Sequence, residues 1–173
     1  MNRKIFYSKI LLFGEYGIIS NSDALSIPFK KFEGSLKISK SLLKDEILSN
    51  NNLDELYTYI NKSYSFSNIL DLKSLKKDID SGLYFKSNIP ISSGLGSSGA
   101  LVSSILTNYS NTDLSKKDSN EIKKIMSIME SKFHGKSSGF DPLVPFFNKP
   151  ILMSDGNIKL IEDINFRDFK IYL

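Results

Sequence analysis

The run Pro90-Ile91-Ser92-Ser93-Gly94-Leu95-Gly96-Ser97-Ser98-Gly99-Ala100 is the stretch most able to do chemistry. It sets three glycines and four serines between an extended segment ending at Ile89 and an apolar, helically spaced segment beginning near Ala100. Glycine lets the chain turn sharply and lets a ligand approach bare amides. The first amides of a helix lack intrahelical partners and carry the positive end of the dipole. A Gly/Ser loop opening a helix is therefore an anion cradle, most often for phosphate. The serine hydroxyls can donate to phosphate or ligate a metal.

Two other readings stand beside this one. Gly94-x-Gly96-x-x-Gly99 matches the dinucleotide-binding pattern letter for letter. That pattern should follow a continuously apolar strand, and Tyr84-Phe85-Lys86-Ser87-Asn88-Ile89 is half polar. A plain structural turn is the other reading, because Gly/Ser clusters are usually loops. Gly-x4-Gly-Lys-Ser/Thr does not occur, which excludes an ordinary P-loop.

Four further residues carry chemistry or its bland equivalent. Lys9 interrupts the apolar run Ile5 to Phe13, where a lysine at a strand edge is the simple account. Glu130 lies one turn before the end of an amphipathic segment, a position that suits an exposed helix glutamate. Asp141 sits in Ser138-Gly139-Phe140-Asp141-Pro142, and Asp-Pro commonly initiates a turn. His134, the only histidine, precedes Gly135 and fits a helix C-terminus, with a cation-capable side chain in the last turn and glycine in the left-handed cap.

The chain must position these residues with 173 residues, enough for one domain. Forty per cent hydrophobic residues, twelve Phe and eight Tyr supply a normal core. The absence of cysteine excludes disulfides and thiolate metal sites and suits a reducing compartment. One histidine excludes a His-rich metal centre. A net charge of +4 from scattered lysines is too weak for nucleic acid but suits an anionic small molecule. No apolar run reaches membrane-spanning length, and the amino end lacks a signal-peptide pattern. The expectation is a cytoplasmic protein with neither nucleic-acid nor membrane partners.

Residues 4 to 13 read as a strand, followed by a turn at Gly14-Glu15-Tyr16-Gly17 and short extended pieces at Ile18-Ile19 and Ala24 to Pro28. Residues 34 to 39 read as a separate strand, and the set as an antiparallel sheet. Between 41 and 80, Leu42-Leu43, Leu53-Leu56-Tyr57-Ile60 and Ile69-Leu72-Leu75-Ile79 have helical spacing, punctuated by Asn50-Asn51-Asn52 and with Asn68 as an N-cap. Gly82 releases the chain into a strand over 83 to 88. Ala100 to Tyr109 is the next helix. Ser115 to His134 is another, with Ile122, Ile125, Met126, Met129 and Phe133 on one face and a capping box of Ser115 and Asp118. The tail predicts strands at 151–153, 158–161 and 169–173, with a hairpin turn at Asp155-Gly156-Asn157. The last strand meets the chain end with no turn, as a cut chain would.

Three segments together carry a resemblance. Lys9-Ile10-Leu11-Leu12-Phe13-Gly14-Glu15-Tyr16 resembles the first motif of the GHMP small-molecule kinases, and Pro90-x3-Gly94-Leu95-Gly96-Ser97-Ser98 resembles their ATP-binding motif. Glu130 with Ser138-Gly139-Phe140-Asp141 resembles the Glu and Ser-Gly-x-Asp pair of the mevalonate kinases. Their order and spacing also agree.

The resemblance implies an α+β fold of the ribosomal protein S5 domain 2-like type, a mostly antiparallel sheet with helices packed on one face. It implies that residues 1–173 form the amino-terminal ATP-binding domain, without the carboxy-terminal domain that holds the family's third motif. The chain would then be a fragment or a gene product that lost its second half.

The implied cofactors are ATP and Mg2+. Pro90, Ser93, Gly94, Leu95, Gly96, Ser97, Ser98 and Gly99 would hold the triphosphate. Ser98, or less favourably Ser97, would ligate magnesium with Glu130. Asp141 would accept the substrate hydroxyl proton or orient that hydroxyl, Lys9 would stabilise the transferring group, and Glu15 and Tyr16 would organise the substrate pocket. Mevalonate is the implied alcohol. Tyr16 departs from the histidine usual in mevalonate kinases and makes Gly-Glu-Tyr more like phosphomevalonate kinases. An inactive ATP-binding or scaffold module is the non-enzyme alternative. Apolar surface left by an absent partner domain would favour self-association into a homodimer.

Overall fold

The computed structural model describes residues 4–14, 23–62, 64–162 and 164. Strand β1 (Phe6–Phe13) runs antiparallel to the long β2 (Ala24–Ile38). The other edge of β2 carries two strands end to end. β3 (Leu83–Ser87) pairs with Gly34 to Ile38, and β4 (Ile151–Ser154) with Ala24 to Ser26. β5 (Asn157–Leu160) adds a hairpin to β4, so every described pairing is antiparallel. Asp155 and Gly156 form its turn with φ of 49° and 76°, the left-handed pair that matches strand twist.

The helices are α1 (Lys44–Asn61), α2 (Tyr64–Ser67), α3 (Leu72–Asp80), α4 (Ser97–Tyr109), α5 (Ser119–His134) and α6 (Phe140–Phe147). α1 packs on β3, while α4 and α6 pack on β1 and β2. Phe6, Leu36, Leu53, Phe66, Ile105 and Phe140 are among the fully buried side chains of one continuous core. The α+β, antiparallel architecture is the expected one, and it excludes the parallel sheet of a dinucleotide-binding fold.

Four local readings are corrected. Residues 24–28 and 34–39 are not separate strands but one, β2. Pro28 falls where β2 has only β1 as a neighbour, so its missing N–H interrupts no second ladder. Asn50-Asn51-Asn52 does not punctuate a helix but lies inside α1. Asn50 Nδ2 donates to the carbonyls of Ile79 and Leu83 at 2.9 and 2.6 Å, a tertiary role that overrides its loop preference. The N-cap of α3 is Asp71, not Asn68; its Oδ1 accepts from the Ser74 amide at 2.9 Å. The capping box at Ser115 does not form: Ser115 sits in a 3-10 turn, and Asp118 caps α5.

The turn expected at Asp141-Pro142 is instead the start of a helix, because α6 begins at Phe140. Pro142 stands in its first turn, where an amide hydrogen has no intrahelical partner to lose. The turn residues 15–17, Ile18-Ile19 and the strand expected at 169–173 lie outside the described residues. Among the described residues no helix is long and apolar enough to cross a membrane.

Candidate active site

The glycine loop enters α4 through Gly96, whose φ of 79° is left-handed. Gly96 supplies no side-chain acceptor, and the first helical bond runs from the Ala100 amide to the Gly96 carbonyl at 2.9 Å. The amides of Ser97, Ser98 and Gly99 precede that bond. Ser97 and Ser98 line a cleft of about 300 Å³, whereas Gly99, expected to line it too, is buried against Asp141 and Pro142 at the start of α6. The loop is tied down elsewhere. Leu95 is buried and its carbonyl accepts from the Lys9 amide at 3.0 Å, so the loop is stitched to β1. The Ser93 hydroxyl donates to the Pro90 carbonyl at 2.7 Å and shapes the bend.

Gly96 is also required by contact. A Cβ there would lie 2.8 Å from Lys9 Cγ. The aliphatic stem of Lys9 therefore runs under the loop, and the residue is 4 % exposed. Its Nζ meets Asp141 Oδ2 at 2.9 Å. A lysine at a solvated strand edge is thus the wrong account: the ammonium is desolvated and paired. Asp141 stands in the first turn of α6, where the helix dipole favours a negative charge. The buried Ser103 hydroxyl, 2.5 Å from the Pro142 carbonyl, pins α6 against α4 and fixes Asp141 beside the loop.

Glu130 is likewise no surface glutamate. It is 4 % exposed, on the buried side of α5. Its Oε1 accepts from Ser98 Oγ at 3.3 Å, and its Oε2 from the Ser137 hydroxyl. Burial pushes its pKa up to about 7. The Ser137 bond opposes the rise, Asp141 adds to it, and Ser98 and Lys9 oppose it. A carboxyl in this setting gains from a nearby cation.

Lys9, Ser98, Glu130 and Asp141 therefore converge where α4 begins. Pro90, Ser93, Gly94, Leu95, Gly96, Ser97 and Ser98 line the cleft with Asp141. Glu130 and Lys9 are not in that lining but stand behind it, in contact with Ser98 and Asp141. Glu15 and Tyr16 lie outside the described residues.

Two cleft residues escaped the sequence reading. His134 does end α5, but its Nε2 lies 3.0 Å from Ser98 Oγ and its ring lines the cleft. The clue was its spacing: His134 is four residues after Glu130, on the same helix face. Asn52 reaches the cleft from α1, and no local pattern announced it.

Among the described residues no three His, Cys, Asp or Glu gather as a metal cluster. Magnesium does not require one, since it binds through one or two carboxylates, phosphate oxygens and water. Glu130 and Ser98, hard oxygen donors in contact beside the start of α4, fit such a cation.

The family model for the GHMP kinases N terminal domain matches residues 57–148, just over half of the chain. No curated protein matches by sequence. Among solved structures, the chain is similar to Methanococcus jannaschii mevalonate kinase (TM-score 0.58, 20% identity, 92% of this chain and 55% of that one). It is similar to L. major mevalonate kinase in complex with R-mevalonate (0.56, 18%, 93% and 52%). It also resembles mevalonate kinase from Staphylococcus aureus MRSA252 (0.51, 20%, 93% and 55%). At these identities the likeness is one of fold, and the chain spans about half the length of each structure. With the matched segment running from α1 through α6, the chain belongs to the GHMP kinase family through the N-terminal domain.

Proposed function

We propose that the chain is the nucleotide-binding half of an ATP-dependent small-molecule kinase, acting on an alcohol, with mevalonate the favoured acceptor and 5-phosphomevalonate the product. The observation that carries this reading is the Lys9–Asp141 pair at 2.9 Å beside the uncapped start of α4. Phosphoryl transfer depends on positioning and charge stabilisation more than on covalent help from the protein. A cradle, a cation site, an acceptor carboxylate and a buried ammonium are the parts it needs.

The amides of Ser97 to Gly99 would hold the phosphates, with the bend at Pro90 to Gly94 as the rim. Ser98 and Glu130 would hold Mg2+. The cation they hold would supply charge neutralisation for the phosphates. Asp141 would orient the acceptor hydroxyl and take its proton as the new O–P bond forms and the bond from phosphorus to the ADP oxygen breaks. Lys9 would stabilise charge on the transferring group. A second domain, supplying the rest of the substrate pocket, would complete the enzyme. Glu15 and Tyr16 would contribute to that pocket from this side.

ADP release coupled to a spectroscopic readout, with mevalonate and phosphomevalonate tested side by side on the chain and on the chain joined to a second GHMP domain, tests the reading. Turnover of mevalonate supports it. Turnover of phosphomevalonate alone would favour the second reading, which rests on Tyr16. ATP binding without turnover of either would leave a binding module.

A further inference from the structure

Ser137 has no assigned part in the chemistry, yet it touches both acidic elements of the site. Its hydroxyl donates to Glu130 Oε2 and accepts from the Gly139 amide at 3.0 Å. Gly139 is the N-cap of α6, and Asp141 follows two residues later. The main chain of Ser137 is itself clamped to α5. Its amide donates to Ser131 Oγ at 3.1 Å, and its carbonyl accepts from Ser127 Oγ at 2.5 Å. Gly139, with φ of 74°, packs against the α5 backbone at Lys123, where a side chain would not fit.

A serine hydroxyl has one proton and two lone pairs. Here the proton goes to one oxygen of Glu130 and a lone pair receives the α6 N-cap amide. The other Glu130 oxygen is left facing Ser98. Resting on the nucleotide-and-cation reading of this site, we propose that Ser137 is a positioning residue. It holds Glu130 Oε2 so that Oε1 faces the cation position, and it ties that carboxylate to the helix start that carries Asp141. Hydrogen bonds behind a metal-binding carboxylate commonly control its affinity in this way.

The test is Mn2+ titration of the ADP-saturated protein followed by electron paramagnetic resonance, with ADP affinity in chelator and thermal unfolding measured in parallel. Ser137→Ala should weaken Mn2+ binding by about 10–100-fold, the range for such supporting residues. ADP affinity without metal should stay unchanged, and Ser137→Thr should restore Mn2+ binding. In a Glu130→Gln background, Ser137→Ala should cause little further loss, because its effect runs through that carboxylate.

Unchanged Mn2+ affinity in Ser137→Ala overturns the inference. So does a loss that persists in full in the Glu130→Gln background, or one that comes with unfolding and equal loss of ADP. A native protein that binds ADP but no Mn2+ would remove the cation reading above and this inference with it. Native Mn2+ binding indifferent to Ser137 would remove this inference alone.

Discussion

Lys9 on β1 and Asp141 on α6 meet at 2.9 Å, with the lysine buried and the aspartate about a third exposed. The asymmetry matters. The lysine depends on the aspartate for its partner, whereas the aspartate retains an open side toward the cleft. One carboxylate can thus hold the ammonium and still meet a ligand.

Asp141→Asn should leave nucleotide affinity nearly intact and lower kcat by about 10²–10⁴-fold, the usual scale for a lost acid–base group. Equilibrium titration with ADP and steady-state turnover separate the two. Parallel loss of both would make Asp141 structural.

Lys9→Met should keep the fold and lose turnover. Methionine fills the space of the aliphatic stem under Gly96, and replacing a buried charge by an apolar group of similar volume is often neutral for stability. Asp141 remains partly solvated when its partner goes. Chemical denaturation should show a small change, while kcat falls by about 10²-fold or more as a preorganised positive charge is removed.

Glu130 predicts a pH signature in chelator. Its folded pKa, near 7, is above the ordinary value of 4.5, with burial the main cause. Between these values the unfolded chain gives up the proton first, so native stability falls as pH rises from about 4.5 to 7. The loss is on the order of 3 kcal/mol at 1.36 kcal/mol per pKa unit. Glu130→Gln should flatten that slope, read as urea midpoints at pH 5 and 8. An unchanged slope would place the titration elsewhere.

Gly96→Ala should strain the loop twice over. Alanine disfavours φ of 79° by roughly 1–2 kcal/mol, and its methyl would press on Lys9 Cγ. Nucleotide affinity should drop by at least about tenfold, since 1.4 kcal/mol is a factor of ten in binding. Thermal unfolding and ADP titration on the same variant check both effects.

The glycine loop was legible in the sequence because its conformation is local: glycines and a following helix suffice to place amides at an opening. The core face of α5 was legible for the same reason, through its 3.6-residue period. Lys9 and Glu130 were not legible as buried groups from their surroundings in sequence. What buries them, the loop for one and Ser98 with the α5–α6 corner for the other, is distant along the chain or lies past a turn. Resemblance to a family picked them out where periodicity could not. α6 was obscured by Pro142, which with Asp141 read as a turn although it stands where helices tolerate it. Asn50 in α1 shows the converse, a loop-forming residue held in a helix by two distant carbonyls.

Lys9 is fastened at both ends: its amide to the Leu95 carbonyl and its ammonium to Asp141. A single residue thus spans from the floor of the loop to the opposite helix and acts as a gauge block for the distance between them. Widening the gap would break one fastening or the other. The exposed lip around Ile91 lies outside this double fastening, so only the lysine end of the cleft is held to one width.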